Sequence, residues 1–220
     1  MNILSVDTSN KIASVSLFKD MNLLNEKFSN DQKTHSENLL PIIDELLKEK
    51  DMSIKDIDMF IVSVGPGSFT GIRIGVSMVK GMAQALNKKI IPITSLEGLT
   101  YMAGSENVCA IINARHGNVY AQIKHNGVFS EPDCMNINDV ISRLKQYDEK
   151  FTIVGDATEE FEDLLNSNLN CSIFEKMIEN SSDIGKFALN KYLKGENVAK
   201  TPHEILPIYL RKAQPDREVL

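Results

Sequence analysis

Only three cysteines occur in 220 residues, Cys109, Cys134 and Cys171, and none lies in a C-x-x-C spacing. An odd, scattered set of this kind excludes a disulfide framework and a thiolate zinc site, and it predicts reduced thiols in a cytoplasmic setting. Positive charge is also scarce: 24 Lys and Arg stand against 30 Asp and Glu, for a formal charge of −6. Direct binding of a polyanion needs clustered cations, so a chain of this balance that served RNA chemistry would leave the RNA to a partner. No apolar run approaches the length of a membrane span. The opening Met1-Asn2-Ile3-Leu4-Ser5-Val6-Asp7 has neither a basic stretch nor a long apolar core, unlike a secretory signal. No low-complexity linker is present. What remains is ordinary for a folded protein: 42% hydrophobic and 25% charged residues, in a length that suits one large domain or two small ones.

The hydrophobic pattern divides near Gly104. Short β-prone runs at 3–6, 12–18 and 23–28 predict an antiparallel meander. A helix, a strand over 57–64, a helix over 70–86, a strand over 89–93 and a short helix over 95–103 follow. The second half begins again with strands over 108–114 and 118–124 and a turn at Asn126-Gly127. It continues with a helix over 138–147, a strand over 151–154, and helices over 159–166 and 183–193, the last capped by Ser181 or Ser182. Residues 1–104 and 105–220 thus form two units of loosely matching order, with the C-terminal segment free to pack back on the first. The polar end, 211–220, is expected to fray.

The first helix opens with Thr34-His35-Ser36-Glu37, a capping box. Leu39, Leu40, Ile42, Ile43, Leu46 and Leu47 recur at helical spacing, and Pro41 among them predicts a kink. His35 has no metal-binding partner one turn on, because that position is Leu39, and the other histidines lack one as well. His35 reads as solvated or capping, and no metal site is expected.

Gly65-Pro66-Gly67-Ser68-Phe69-Thr70-Gly71 links a strand to a helix. Such a loop can cradle a phosphate at a helix N-terminus. It lacks the Gly-Lys-Ser/Thr ending of a P-loop, and its last two glycines are one residue too far apart for the dinucleotide fingerprint. A tight structural turn and an anion site stay equally open. In the helix that follows, Arg73, Ser77, Lys80, Gln84 and Asn87 make a polar stripe, and Ile72, Val76, Val79, Ala83 and Leu86 suit the core. Gly71, Gly75, Met78, Met82 and Ala85 add a second, small-to-flexible apolar stripe, which fits either an interface or burial beneath the second half. Asp7-Thr8-Ser9 after the first strand could touch phosphate or a metal-bound water, although a turn closed by Asp7 or Ser9 explains it more simply. No G-x-S-x-G elbow is present, which excludes that type of serine nucleophile.

Four blocks resemble the TsaB (YeaZ) family: Asp7-Thr8-Ser9, the segment from His35 to Pro41, the glycine loop through Gly75, and Pro207-Ile208-Tyr209-Leu210-Arg211. The resemblance implies an α/β fold of the actin-like, sugar-kinase-like (ribonuclease H-like) kind, with two related subdomains of mixed sheets flanked by helices. It implies a non-catalytic subunit, peptidase-like only by homology, that needs no cofactor. Its partner would be the catalytic paralogue TsaD, with the ATPase TsaE as third component. It would form a homodimer when alone, and tRNA would be reached only through the complex. The work supported would be transfer of threonylcarbamoyl to adenosine 37 of tRNAs reading codons that start with A. The implied interface is the two N-terminal helices, with Leu39, Leu40, Ile43, Leu47, Gly71, Gly75, Met78 and Met82. Vestigial nucleotide contacts would fall to Asp7, Thr8, Ser9, Gly65 and Gly67. The alternative is a small-molecule kinase or acyl transferase of the same fold with weak nucleotide binding. One departure stands out: Asn113-Ala114-Arg115 occupies a place where the family usually has Asp-Ala-Arg.

Overall fold

The computed structural model describes residues 1–29, 34–174 and 178–210. The alternating apolar pattern of the first half forms a five-stranded sheet: β1 (Asn2–Asp7), β2 (Ser14–Lys19), β3 (Asn22–Phe28), β4 (Met59–Ser63) and β5 (Lys89–Ile93), in the order β3-β2-β1-β4-β5. The first three strands are an antiparallel meander, and β4 and β5 run parallel to β1. Parallel neighbours need crossovers, supplied by α1 (His35–Lys48) and α2 (Phe69–Ala85). A third helix, α3 (Ser95–Ala103), leaves β5.

The second half repeats this plan. Its strands are β6 (Val108–Asn113), β7 (Asn118–His125), β8 (Val128–Phe129), β9 (Asp133–Asn136), β10 (Phe151–Val154) and β11 (Cys171–Ile173). They lie in the order β11-β10-β6-β7-β8, with β9 also paired to β7. The helices are α4 (Ile137–Leu144), α5 (Ala157–Asn168) and α6 (Ser181–Leu193). Taken from the meander edge, both sheets have the same strand order.

The third helix of each half crosses to the other sheet. α3 packs on β6, β7 and β10, α6 packs on β1, β2, β4 and β5, and the two helices pack on each other. The first sheet is therefore buried on both faces. On one face Leu4, Val6, Val15, Leu17, Phe60 and Val62 meet α1 and α2 through Leu39, Ile43, Ile72 and Val76. On the other, Ile3, Phe18, Ile61 and Ile91 meet Ile184, Ala188 and Leu189 of α6. This explains the serines that alternate with apolar residues in β1 and β2. Ser5 Oγ donates to Ser181 O at 2.7 Å, Ser14 Oγ accepts from Ser181 N at 2.8 Å, and Ser16 Oγ pairs with Ser181 Oγ at 2.6 Å. With Ser181 so engaged, the cap of α6 is Asn180, whose side chain accepts from Asp183 N at 3.1 Å, and neither expected serine serves.

The capping box of α1 is present: Thr34 N and its hydroxyl both donate to the Glu37 carboxylate, at 2.9 and 2.6 Å. α1 runs on as one helix from His35 to Lys48 with Pro41 inside it. The C-terminal segment returns to the first sheet. Ile90 and Lys200 form a bridge, and Ile208 N donates to Val64 O at 2.8 Å. Among the described residues no helix is long and apolar enough to cross a membrane. The expected fraying end, including Arg211 of the last motif, lies outside the described residues.

Candidate functional site

The turn after β1 is built by its own side chains. Asp7 Oδ1 accepts from Ser9 N at 2.9 Å, and Asp7 Oδ2 accepts from the Asn10 amide at 3.3 Å. This is an Asx turn, the local closure that a short carboxylate favours. The start of α2 covers it. Ser68 N donates to Ser9 O at 2.7 Å and Thr8 Oγ1 donates to Gly71 O at 2.7 Å. A Cβ on Gly71 would overlap Thr8 O, and one on Gly75 would overlap Thr8 Oγ1. Gly67 and Gly71 leave room for the backbone of the turn, and Gly75 for the Thr8 side chain. His35, in the first turn of α1, closes the far side with Nε2 2.9 Å from Asn10 O, so it is a tie between α1 and the turn and not a solvated side chain.

This packing places the expected residues at different depths. Asp7, Thr8 and Ser9 are buried at 1%, 0% and 4% exposure, beneath α2 and the loop of Gly65 and Gly67, while Gly67 itself lines an open cavity with Thr70, Asn113 and Arg115. A Cβ on Gly67 would fall 2.5 Å from Ser9 O, which shows how tightly that loop is closed over the turn. Gly71 and Gly75 likewise face Thr8 inside the chain. Leu39, Ile43 and Leu47 are buried in the core of the first half.

Three of the expected interface residues do reach the surface. Leu40 is 56% exposed, and Met78 and Met82 are half-buried at the edge of the core, as is Ile74. Between them α2 shows Ser77, Gly81 and Ala85, all exposed and spaced one helical turn apart. A Cβ on Gly81 would meet nothing within 4 Å. A glycine inside a helix costs about 1 kcal/mol relative to alanine, and nothing among the described residues requires this one. The small open stripe is thus Ser77, Gly81 and Ala85, displaced around the helix from Gly71 and Gly75. Gly81 was legible in the sequence as a glycine within a helical pattern, but its outward direction is not.

The polar stripe of α2 is partly occupied. Lys80 Nζ donates to Ile205 O at 2.7 Å. Arg73 stacks 3.7 Å above the Phe69 ring, and its Nε donates to the Tyr209 hydroxyl at 2.7 Å. The C-terminal motif is therefore a strap along α2. Asn113 accepts from Arg115 N at 2.7 Å and donates to the Glu160 carboxylate, while Asn113 N donates to Asp156 at 2.8 Å. An aspartate at 113 would set two carboxylates against each other, so the neutral amide fits its neighbours here.

Electrostatically the site is dominated by two buried acids. Burial raises the Asp7 carboxyl above its ordinary value. Burial, and then repulsion from Asp7, pushes Glu179 up to about 8. Glu179 lies 4% exposed just before α6, and Ser9 Oγ donates to it at 3.3 Å. An isolated glutamate in a polar stretch carries no sequence signal, and Glu179 escapes sequence reasoning altogether. Among the described residues no group of three or more His, Cys, Asp or Glu is placed to hold a metal ion.

Comparison with known proteins matches residues 22–212 to the family described as TsaD, tRNA N6-adenosine threonylcarbamoyltransferase. The chain is 29% identical to the Bacillus subtilis tRNA threonylcarbamoyladenosine biosynthesis protein TsaB, over 98% of the chain and 96% of the relative. It is 30% identical to the Haemophilus influenzae protein of that name, over 99% of both. YeaZ from Pseudomonas aeruginosa superposes with a TM-score of 0.79 at 24% identity, covering 95% of this chain and 99% of that one. A Listeria monocytogenes protein assigned as an N-acetylmannosamine kinase superposes at 0.53 with 10% identity, covering 90% and 100%. The architecture is the actin-like, sugar-kinase-like one, with two mixed sheets flanked by helices.

Proposed function

The chain belongs to the TsaB (YeaZ) family, and from that premise we propose that it is a non-catalytic subunit in tRNA threonylcarbamoyladenosine biosynthesis, docking on TsaD through α1 and α2. The observation that carries the docking surface is the open stripe of Ser77, Gly81 and Ala85 between the apolar edges of Leu40, Ile74, Met78 and Met82. A glycine whose missing side chain faces empty space lets a partner's backbone come close, and methionines adapt to what arrives. The same face would pair two copies when TsaD is absent.

The chemistry is TsaD's in this reading: transfer of threonylcarbamoyl to adenosine 37 of tRNAs reading codons that start with A. TsaE is the third component, and tRNA is met through the assembly. A scaffold promotes a reaction by binding the competent conformation of its partner better than the alternatives. The burial of Asp7, Thr8 and Ser9 under α2 supports a supporting role over a kinase role, since the turn that would meet phosphate is filled by the chain itself.

The test is reconstitution. TsaD and TsaE are supplied with tRNA and the threonylcarbamoyl donor, with and without this chain. Modified tRNA is expected only when the chain is present. Equal product without it, or product from the chain alone, would overturn the reading.

A further inference from the structure

Where the chain crosses from the second sheet to the first, two carboxylates are shut inside the protein. Asp7 ends β1. Glu179 stands one residue before the cap of α6, the helix that lies across β1, β2, β4 and β5. Both are at least nine-tenths buried, and Ser9 links them: its N–H donates to Asp7 and its hydroxyl to Glu179. Glu179 also lies against α3, because a Cβ on Gly98 would meet its Cγ at 3.3 Å.

Among the described residues no lysine, arginine or histidine forms an ion pair with either carboxylate. The surrounding elements carry both signs of charge. The acids are Glu26 of β3, which accepts from Ser182 N at 3.0 Å, Asp183 on α6 itself, Asp156 before α5, and Glu97 of α3; the cations are Lys27 of β3, engaged by Glu45 and Glu49, and Lys186 and Lys191 of α6, with Lys191 3.3 Å from Glu97. His35 of α1 reaches only Asn10 O. Two bare charges in such a place would repel each other without solvent to screen them.

We propose that Asp7 and Glu179 together hold one proton, and that this proton is a latch keeping the start of α6 against β1. Its loss puts two like charges at the crossing between the halves and loosens the first turn of α6. Ser5, Ser14 and Ser16 tie Ser181 through neutral hydrogen bonds, and the Glu26 carboxylate accepts from Ser181 Oγ and Ser182 N.

The sense of the pH dependence follows from burial. Glu179 is raised from 4.5 to about 8 in the folded chain, so the folded state holds a proton that the unfolded state has shed. That contribution to stability is complete below 4.5 and is lost as pH rises through about 8. The pair titrates as a unit, so the proton belongs to both acids.

The experiment is hydrogen exchange by mass spectrometry on the intact chain at about pH 6 and about pH 9, corrected for intrinsic exchange. Peptides covering the first turn of α6 are expected to exchange up to about a hundredfold faster at the higher pH, while peptides of β6 and β7 keep their protection. Glu179→Gln removes the charge and keeps the shape, and should abolish the rise. Asp7→Asn leaves one buried charge at high pH and should reduce it, which keeps the test alive if the first variant folds poorly. No rise in the wild-type chain, or the same rise in both variants, would overturn the latch.

Discussion

Gly75 of α2 lies against the hydroxyl of Thr8, with no room between them for a methyl group. Thr8 also donates to Gly71 O one turn earlier, so the turn after β1 is seated in a notch of two glycines. Gly75→Leu is therefore a folding mutation. Overpacking of this kind costs about 1–3 kcal/mol or more. Urea unfolding should show a lower midpoint with an unchanged slope. A variant as stable as the wild type would mean that the notch yields and the seat is loose.

Gly81, two turns further along, has the opposite surroundings. It is exposed in the middle of α2, and a side chain there would touch nothing. Gly81→Ala should stabilise the isolated chain by about 0.5–1 kcal/mol, because alanine loses less backbone entropy in a helix. A rise in the unfolding midpoint checks this. A fall would place Gly81 in a contact within the chain.

Asn113 bonds to Glu160 through its amide NH2, and Asn113→Asp would replace that donor with a like charge. The expected loss is about 1–2 kcal/mol, from the hydrogen bond and the repulsion together. The loss should shrink in high salt and largely vanish in the Glu160→Gln background. Denaturant melts at two ionic strengths, with and without the second change, decide it. An equal loss in every condition would mean that charge is not its cause.

The Phe69, Arg73 and Tyr209 stack pins the C-terminal strap to α2 at an exposed site, so its contribution is modest. Arg73→Ala should cost about 1 kcal/mol and make cleavage within the strap faster in limited proteolysis. Unchanged cleavage would show that the bonds from Ile208 to Val64 and from Lys80 to Ile205 hold the strap without the stack.

Much of the fold was legible in the sequence. β5, α3 and β10 lie where the pattern places them, because each is a clean apolar run bounded by turn or capping residues. β9 and β11 were not legible. Asp133–Asn136 and Cys171–Ile173 are short and only half-buried, and pairing with a distant strand makes them strands. The crossing of α3 and α6 between sheets was also hidden, since helical spacing shows that a face is buried but not beneath what. The candidate site suffered from the same gap. Small residues at 71 and 75 announce a close approach, and Thr8, far away in sequence, is what approaches. Periodicity alone does not separate Gly75 from Gly81, and the difference lies wholly in long-range packing.

The most direct test of the docking face is sedimentation velocity of the chain at micromolar concentration, alone and with TsaD, for the wild type and for Gly81→Leu. The account predicts a wild-type self-dimer that gives way to a mixed complex. It predicts a Gly81→Leu variant that is folded, monomeric and unable to join TsaD. A wild-type chain that stays monomeric beside TsaD, or a Gly81→Leu variant that assembles as well as the wild type, would contradict it.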